Sequence, residues 1–249
     1  MNDPNGTLWH RGWHHLFYQH NPYGDAWGDV HWGHARSRDL VRWEHLPVAL
    51  APSRELGEAH CFTGSAWKRP DGTPVLFYSS FPEDTDRRPA EQWAVLCDDE
   101  LRTFQKWDSN PLLSLEDHGG PELEPAWRDP FVFAEGGRVF MILGGVLSQE
   151  CAPAVLLYEA RGEDLLSWGY RGVLHRGDPG RHRFFECPNL VPLGDRHLLV
   201  WSDHGPVRWL LGDFDPDAGD FRADEDGVMD RSPRDRKSTR LNSSHRLRS

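Results

Sequence analysis

A pattern of short apolar runs recurs along this chain about every 60 residues, and few folds tolerate such a rhythm. Leu16-Phe17-Tyr18, Val75-Leu76-Phe77-Tyr78, Val139-Phe140-Met141-Ile142-Leu143 and Leu198-Leu199-Val200-Trp201 are its strongest beats. Each follows a polar turn suited to closing a hairpin: His10-Arg11-Gly12, Arg69-Pro70-Asp71-Gly72, Glu135-Gly136-Gly137-Arg138 and Gly194-Asp195-Arg196. A short strand precedes each turn, and a third follows, as in Val30-His31-Trp32-Gly33-His34-Ala35 and Ala154-Val155-Leu156-Leu157-Tyr158. A polar link carrying Asp39-Leu40, Asp99-Glu100-Leu101 or Asp164-Leu165 then leads into a fourth strand. Helical periodicity is sustained nowhere. Four antiparallel strands per unit, repeated, read as the blades of an all-β propeller. The expected blades are roughly 1–57, 58–124, 125–182 and 183–230, with the fourth losing its pattern near its last strand.

Three strings stand near the start of these units: Asn2-Asp3-Pro4-Asn5-Gly6, Arg128-Asp129-Pro130 and Glu186-Cys187-Pro188. Asp3 lies 15 residues before Tyr18, Thr63 15 before Tyr78, Asp129 13 before Ile142 and Glu186 15 before Trp201. The count puts all four at matching points on first strands, which line the channel of a propeller. Asn-Asp-Pro-Asn-Gly alone is a strong turn former, and the other two strings alone carry little information. Three acids in one register instead predict three carboxylates converging on one pocket.

The net charge of −11 argues against a nucleic-acid partner, and no run is long and apolar enough to span a membrane. Cys61, Cys97, Cys151 and Cys187 have neither zinc-site nor disulfide-framework spacing, which favours a cytoplasmic setting. His31 and His34 fall on opposite sides of one strand, so packing or hydrogen bonding is expected of them rather than metal binding. No metal or other cofactor is expected. Residues 231–249 carry seven Lys or Arg, one acid and no aromatic side chain. They read as a disordered basic tail foreign to the domain at 1–230.

Further segments sharpen the picture: Phe17-Tyr18-Gln19-His20-Asn21-Pro22, Trp27-Gly28, Trp32-Gly33-His34-Ala35, Arg38-Asp39-Leu40-Val41-Arg42-Trp43 and Phe62-Thr63-Gly64-Ser65. In this order, from residue 2 to about 230, the chain resembles glycoside hydrolase family 32, the invertases, levanases and inulinases. The resemblance implies a five-bladed propeller followed by a β-sandwich. About four blades are present, so the chain reads as a fragment without blade five or the sandwich. Two apolar blade faces would then lack neighbours, and the chain alone is expected to be inactive and poorly folded.

The resemblance also assigns roles. Asp3 is the expected nucleophile, Glu186 the acid/base and Asp129 the stabiliser of the transition state in a retaining β-fructofuranosidase. Asn2, Gln19, Trp27, Phe62 and Thr63 match positions that hold the fructosyl unit, and Arg128 is expected to keep Asp129 ionised and bind a hydroxyl. The substrate implied is a small sugar, sucrose or a fructan. Trp43, Trp107 and Trp168 are assigned to blade core. The competing readings are a non-catalytic sugar-binding remnant, a fructosyltransferase, and an arabinan- or xylan-cleaving relative; the last does not suit Asn2-Asp3-Pro4-Asn5-Gly6 with Phe17-Tyr18-Gln19.

Overall fold

The computed structural model describes residues 2–84, 88–202 and 205–229, so the tail read at 231–249 lies outside the described residues. Four four-stranded sheets follow one another. Blade one comprises β1 (Pro4–His10), β2 (Trp13–His20), β3 (His31–Ser37) and β4 (Trp43–Leu50). Blade two comprises β5 (Glu58–Lys68), β6 (Pro74–Pro82), β7 (Glu91–Cys97) and β8 (Phe104–Lys106). Blade three comprises β9 (Arg128–Glu135), β10 (Arg138–Leu147), β11 (Ala152–Ala160) and β12 (Trp168–Arg176). Blade four comprises β13 (Glu186–Leu193), β14 (Arg196–Ser202), β15 (Arg208–Asp215) and β16 (Asp220–Val228). Within each sheet the strands are antiparallel and in sequence order. The first strands β1, β5, β9 and β13 pack side by side and together line a cavity of about 430 Å³, the propeller channel.

Period-two alternation explains how the blades stack. In blade two, Leu76, Tyr78 and Val95 join Phe17 and Trp32 of blade one, while Val75, Phe77 and Ala94 join Val132, Met141 and Leu143 of blade three. Blade three repeats the device, sending Phe140, Ile142, Val155 and Leu157 toward Leu190, Leu199 and Trp201 of blade four. A strand whose two faces both meet apolar sheets reads as a continuous apolar run, which is why β6, β10 and β11 stand out in the sequence. The far face of blade four carries the cross-strand pairs Leu198–Leu211 and Val200–Trp209, each half-buried.

Turn chemistry is equally local. Arg11 and Gly12, and Gly136 and Gly137, take positive φ at both central positions of two-residue hairpins, the twist that matches paired strands. The polar link between third and fourth strands is an Asx turn. The Asp39 Oδ1 accepts from the amides of Val41 and Arg42, and the Asp164 Oδ1 from that of Leu166. Leu40, Leu101 and Leu165 occupy the same left-handed conformation there.

Two expectations need correction. Blade four does not lose its fourth strand: β16 pairs with β15 over its whole length. It is an outer edge with mostly exposed, charged side chains, so it lacks the apolar signal of a buried strand. Trp168 is blade core and Trp107 packs against it, but Trp43 is half-buried at the outer edge, its indole N–H donating to Leu40 O at 3.2 Å.

A buried ion pair inside blade two anchors the connection that arrives from blade one. The Glu58 carboxylate is fully covered and contacts the Lys106 ammonium. It also accepts from Tyr78 Oη at 2.7 Å and from the Ser53 amide at 2.6 Å, while Lys106 donates to Ala51 O at 2.7 Å. Removing one member strands the other in low dielectric. Lys106→Met is expected to cost about 3 kcal/mol in urea unfolding, and Lys106→Met/Glu58→Gln less than the sum of the single changes. A Lys106→Met midpoint equal to that of the parent would remove the pair from the account of stability.

Candidate active site

Each first strand carries a bulge in which two residues face one partner. Gly6 and Thr7 face Leu16, Phe62 and Thr63 face Ser79, Asp129 and Pro130 face Leu143, and Cys187 and Pro188 face Trp201. The first bulge residue is left-handed in three blades, with φ of 51° at Gly6, 68° at Asp129 and 48° at Cys187. Bulges re-aim side chains at the rims of β structures. They also correct the sequence register. Asp129 is a bulge residue matched by Cys187, whereas Glu186 lies one residue earlier and Asp3 three residues ahead of its own bulge. Counting from the apolar run equates Ile142 with Trp201, whereas Leu143 and Trp201 are the residues that face the two bulges, so the count does not give this offset.

All three acids nevertheless occupy the same end of the channel and are buried, at 2, 4 and 4 % exposure for Asp3, Asp129 and Glu186. Asp3 Oδ2 accepts from Thr63 Oγ1 at 2.8 Å, and Thr63 Oγ1 accepts from Gln19 Nε2 at 2.9 Å. The backbone continues the link, with the Gln19 amide on Asp3 O at 3.0 Å and the Asn2 amide on Gln19 O at 2.9 Å. Asp3 Oδ1 has no hydrogen-bond partner among the described residues. Across the channel, Asp129 Oδ2 accepts from the Cys187 amide at 3.0 Å.

Arg128 has a different first partner from the one expected. Its Nη2 donates to Glu186 Oε1 at 2.7 Å, while its Nε stands 3.6 Å from Asp129 Oδ2. The guanidinium lies over the Phe184 ring at 3.9 Å. One cation thus bridges two acids from neighbouring blades. Glu186 is brought inward by a close backbone approach: a side chain on Gly144 would put its Cβ 2.1 Å from Phe185 O.

Burial pushes the Asp3 carboxyl up to about 8. The Thr63 hydroxyl opposes the shift, and the charges of Asp129 and Glu186 add to it. Burial also raises Asp129 to about 6, with Arg128 and the Cys187 amide pulling it down and Glu186 pushing it up. The mutual influence of Asp3, Asp129 and Glu186 makes them one electrostatic unit. The Cys187 thiol is held well above its ordinary range by burial and by the same carboxylates, which keeps it a poor nucleophile.

Aromatic side chains form a wall around Phe62, the residue before Thr63. Trp27, half exposed at 51 %, lies 5.3 Å from the His60 ring and 6.1 Å from Phe62, and Phe62 stacks on Phe81 at 4.1 Å. Trp32 Nε1 donates to Phe62 O at 2.9 Å, fixing the strand behind that wall. The two histidines part as their positions require: His34 pairs with His15 at 2.9 Å, and His31 turns to Asp29 O. Sequence reasoning missed Ser79 and Gln92, which reach the backbone of the Asp129 segment from blade two. A serine and a glutamine inside apolar strands carry no motif that points to them.

Known proteins share this fold. The profile of the Glycosyl hydrolases family 32 N-terminal domain matches residues 1–238. The chain is 36 % identical to the Sucrose-6-phosphate hydrolase of Escherichia coli over 212 residues, covering 82 % of this chain and 42 % of that protein. It is 34 % identical to the Sucrose:sucrose 1-fructosyltransferase of Festuca arundinacea, covering 87 % of this chain and 33 % of that one. Among solved structures, a variant of the Bombyx mori GH32 beta-fructofuranosidase BmSUC1 in complex with sucrose superposes with a TM-score of 0.79 at 31 % identity, over 92 % of this chain and 50 % of the other. The chain therefore spans half or less of the length of these proteins. With the profile matched along nearly the whole sequence and the same propeller in the solved relative, the chain belongs to glycosyl hydrolase family 32.

Proposed function

We propose that this chain forms the propeller part of a retaining β-fructofuranosidase, which releases terminal fructosyl units from sucrose or a fructan. The observation that carries the reading is the meeting of Asp3, Asp129 and Glu186 at one channel mouth, with one Asp3 oxygen uncommitted. Cleavage with retention needs a nucleophile on one side of the anomeric carbon and a proton donor at the leaving oxygen. In its ionised form Asp3 attacks that carbon through Oδ1 while Thr63 holds Oδ2. Glu186 protonates the leaving sugar and then takes a proton from the water that releases fructose. Asp129 accepts hydrogen bonds from fructosyl hydroxyls, and these strengthen as positive charge builds on the ring. Asn2, Gln19 and Arg128 offer further polar contacts, and Trp27 and Phe62 an apolar wall.

The relatives' names support sucrose or its 6-phosphate as the substrate, and the family resemblance adds a fructan. A full-length protein containing this chain is expected to release fructose from at least one of sucrose, sucrose 6-phosphate and inulin, and none from arabinan. Anomer-resolved NMR at early times is expected to show β-fructofuranose first. An initial α product would overturn the double displacement, and fructosylated sugars in place of free fructose would make the enzyme a transferase.

The roles separate by leaving group. Asp3→Asn is expected to lower kcat by more than about 10³-fold on every substrate. Glu186→Gln should cost about 10²–10⁴-fold on sucrose yet far less on an aryl fructoside, whose leaving group needs no proton. Equal losses on both substrates would take the acid role away from Glu186.

The same carboxyls link folding to pH. Asp3 rises from 3.8 to about 8 on folding and Asp129 from 3.8 to about 6, so the folded chain keeps protons that the unfolded chain releases. This contribution is complete below about pH 4 and is lost as pH rises through about 6 and then about 8. Each proton contributes a slope of at most about 1.4 kcal/mol per pH unit. Urea melts above about pH 5 should therefore show stability falling with pH, and Asp3→Asn should remove the decline between about 6 and about 8. An unchanged slope in Asp3→Asn would assign that decline to other groups.

A further inference from the structure

Ser79 and Gln92 are the polar members of an otherwise apolar row. They form a cross-strand pair between β6 and β7, and Ser79 shares the face of Val75 and Phe77, which pack on blade three. Both are fully buried. Two buried polar side chains in such a row are costly unless every polar atom is used. Here they are. Gln92 Nε2 donates to Trp127 O at 3.1 Å, which turns Gln92 Oε1 toward Ser79. Ser79 donates its hydroxyl proton to that oxygen at 2.7 Å, and a lone pair of Ser79 Oγ accepts from the Asp129 amide at 2.9 Å. The direction of every bond is thus fixed by the one before it.

The bond ends where the backbone is least comfortable. Asp129 holds φ at 68°, a region that non-glycine residues enter at a cost and keep only when surroundings enforce it. As a bulge residue, it has its amide turned out of the β9–β10 ladder, and Ser79 supplies an acceptor from the next blade. We propose that Ser79 and Gln92 are a positioning pair for the fructosyl-transfer chemistry. By clamping the Trp127–Asp129 backbone to blade two, they hold the carboxylate of Asp129 at the channel mouth and, through Arg128, the contact to Glu186. The inference rests on the role of Asp129 given under the proposed function.

Without the Ser79 hydroxyl, the Asp129 amide is buried and unpaired, and the peptide relaxes toward extended φ, turning the carboxylate away. Displacement of a reacting group by about 1 Å costs on the order of 10²-fold in rate. In the full-length protein, Ser79→Ala is therefore expected to lower kcat by about 10- to 100-fold with KM little changed. Ser79→Thr, which keeps the hydroxyl, should restore most of the rate. Gln92→Glu, which keeps the shape but loses the donor to Trp127 O, should fall the same way and serves where Ser79→Ala folds poorly. Acting through Asp129 has a sharper signature: in an Asp129→Asn background, Ser79→Ala should cost almost nothing further. Multiplicative losses in the double variant, or a change confined to KM, would overturn the positioning role. Full turnover by Asp129→Asn alone would instead overturn the role of Asp129 on which it rests.

Discussion

Three carboxyl groups crowded where water is scarce cannot all be ionised, and that cost organises the rest of this structure. Asp3 and Asp129 keep protons far above the ordinary carboxylate range, and each is steadied by donors that reach it only through its backbone setting. The donors are a hydroxyl from Thr63, an amide from Cys187 and a guanidinium shared between Asp129 and Glu186. None comes from the same blade as the acid it serves, Arg128 on Asp129 excepted. The site therefore exists only if first strands from all four blades hold their places to within a hydrogen bond's tolerance.

That tolerance comes from packing on both faces of blades two and three. Alternating side chains make each middle blade a wedge between two apolar clusters, so a sheet cannot slide without opening voids in both. The connection after β8 adds to this rigidity. Because β8 is short, Leu112 and Leu113 pair with Gln92 and the Asn110 side chain brackets Ala94, continuing the sheet edge with irregular chain. Gln92 is thus fixed through its backbone by blade two while its side chain steadies blade three. On such a frame left-handed residues at Asp129 and Cys187 can persist, because the surroundings that enforce them do not move.

Much of this was legible in the sequence, for physical reasons that differ by element. Strands buried on both faces announce themselves as apolar runs, so β6, β10 and β11 were plain, and two-residue glycine turns marked the hairpins. The acids were legible because three of them recurred near the same beat. What escaped detection lacked a local signature. β16 is an exposed edge without apolar pattern. The one-residue offset between Asp129 and Glu186 shows only against the bulge partners Leu143 and Trp201, which no sequence pattern marks. The pairing of Arg128 with Glu186 spans 58 residues, and adjacency in sequence pointed to Asp129 instead. Ser79 reads as an ordinary strand residue until the amide it serves is seen.

The balance of charge at the mouth then has a use on the proposed reading. Three acids face one guanidinium, so even with a proton retained the pocket stays negative. A neutral sugar gains little from that field in its ground state. An oxocarbenium-like fructosyl ring gains a great deal, since positive charge appears where fixed carboxylates already point and no solvent has to reorient. A second arginine would relieve the folded chain of its electrostatic strain and, for the same reason, remove the preference for the transition state. Aromatic Phe184 under the guanidinium and the tight approach at Gly144 keep Arg128 on the Glu186 side, and the Asp3 carboxyl is served by the Thr63 hydroxyl instead. On that reading, the electrostatic strain that buried acids impose on folding also favours the transition state over the ground state.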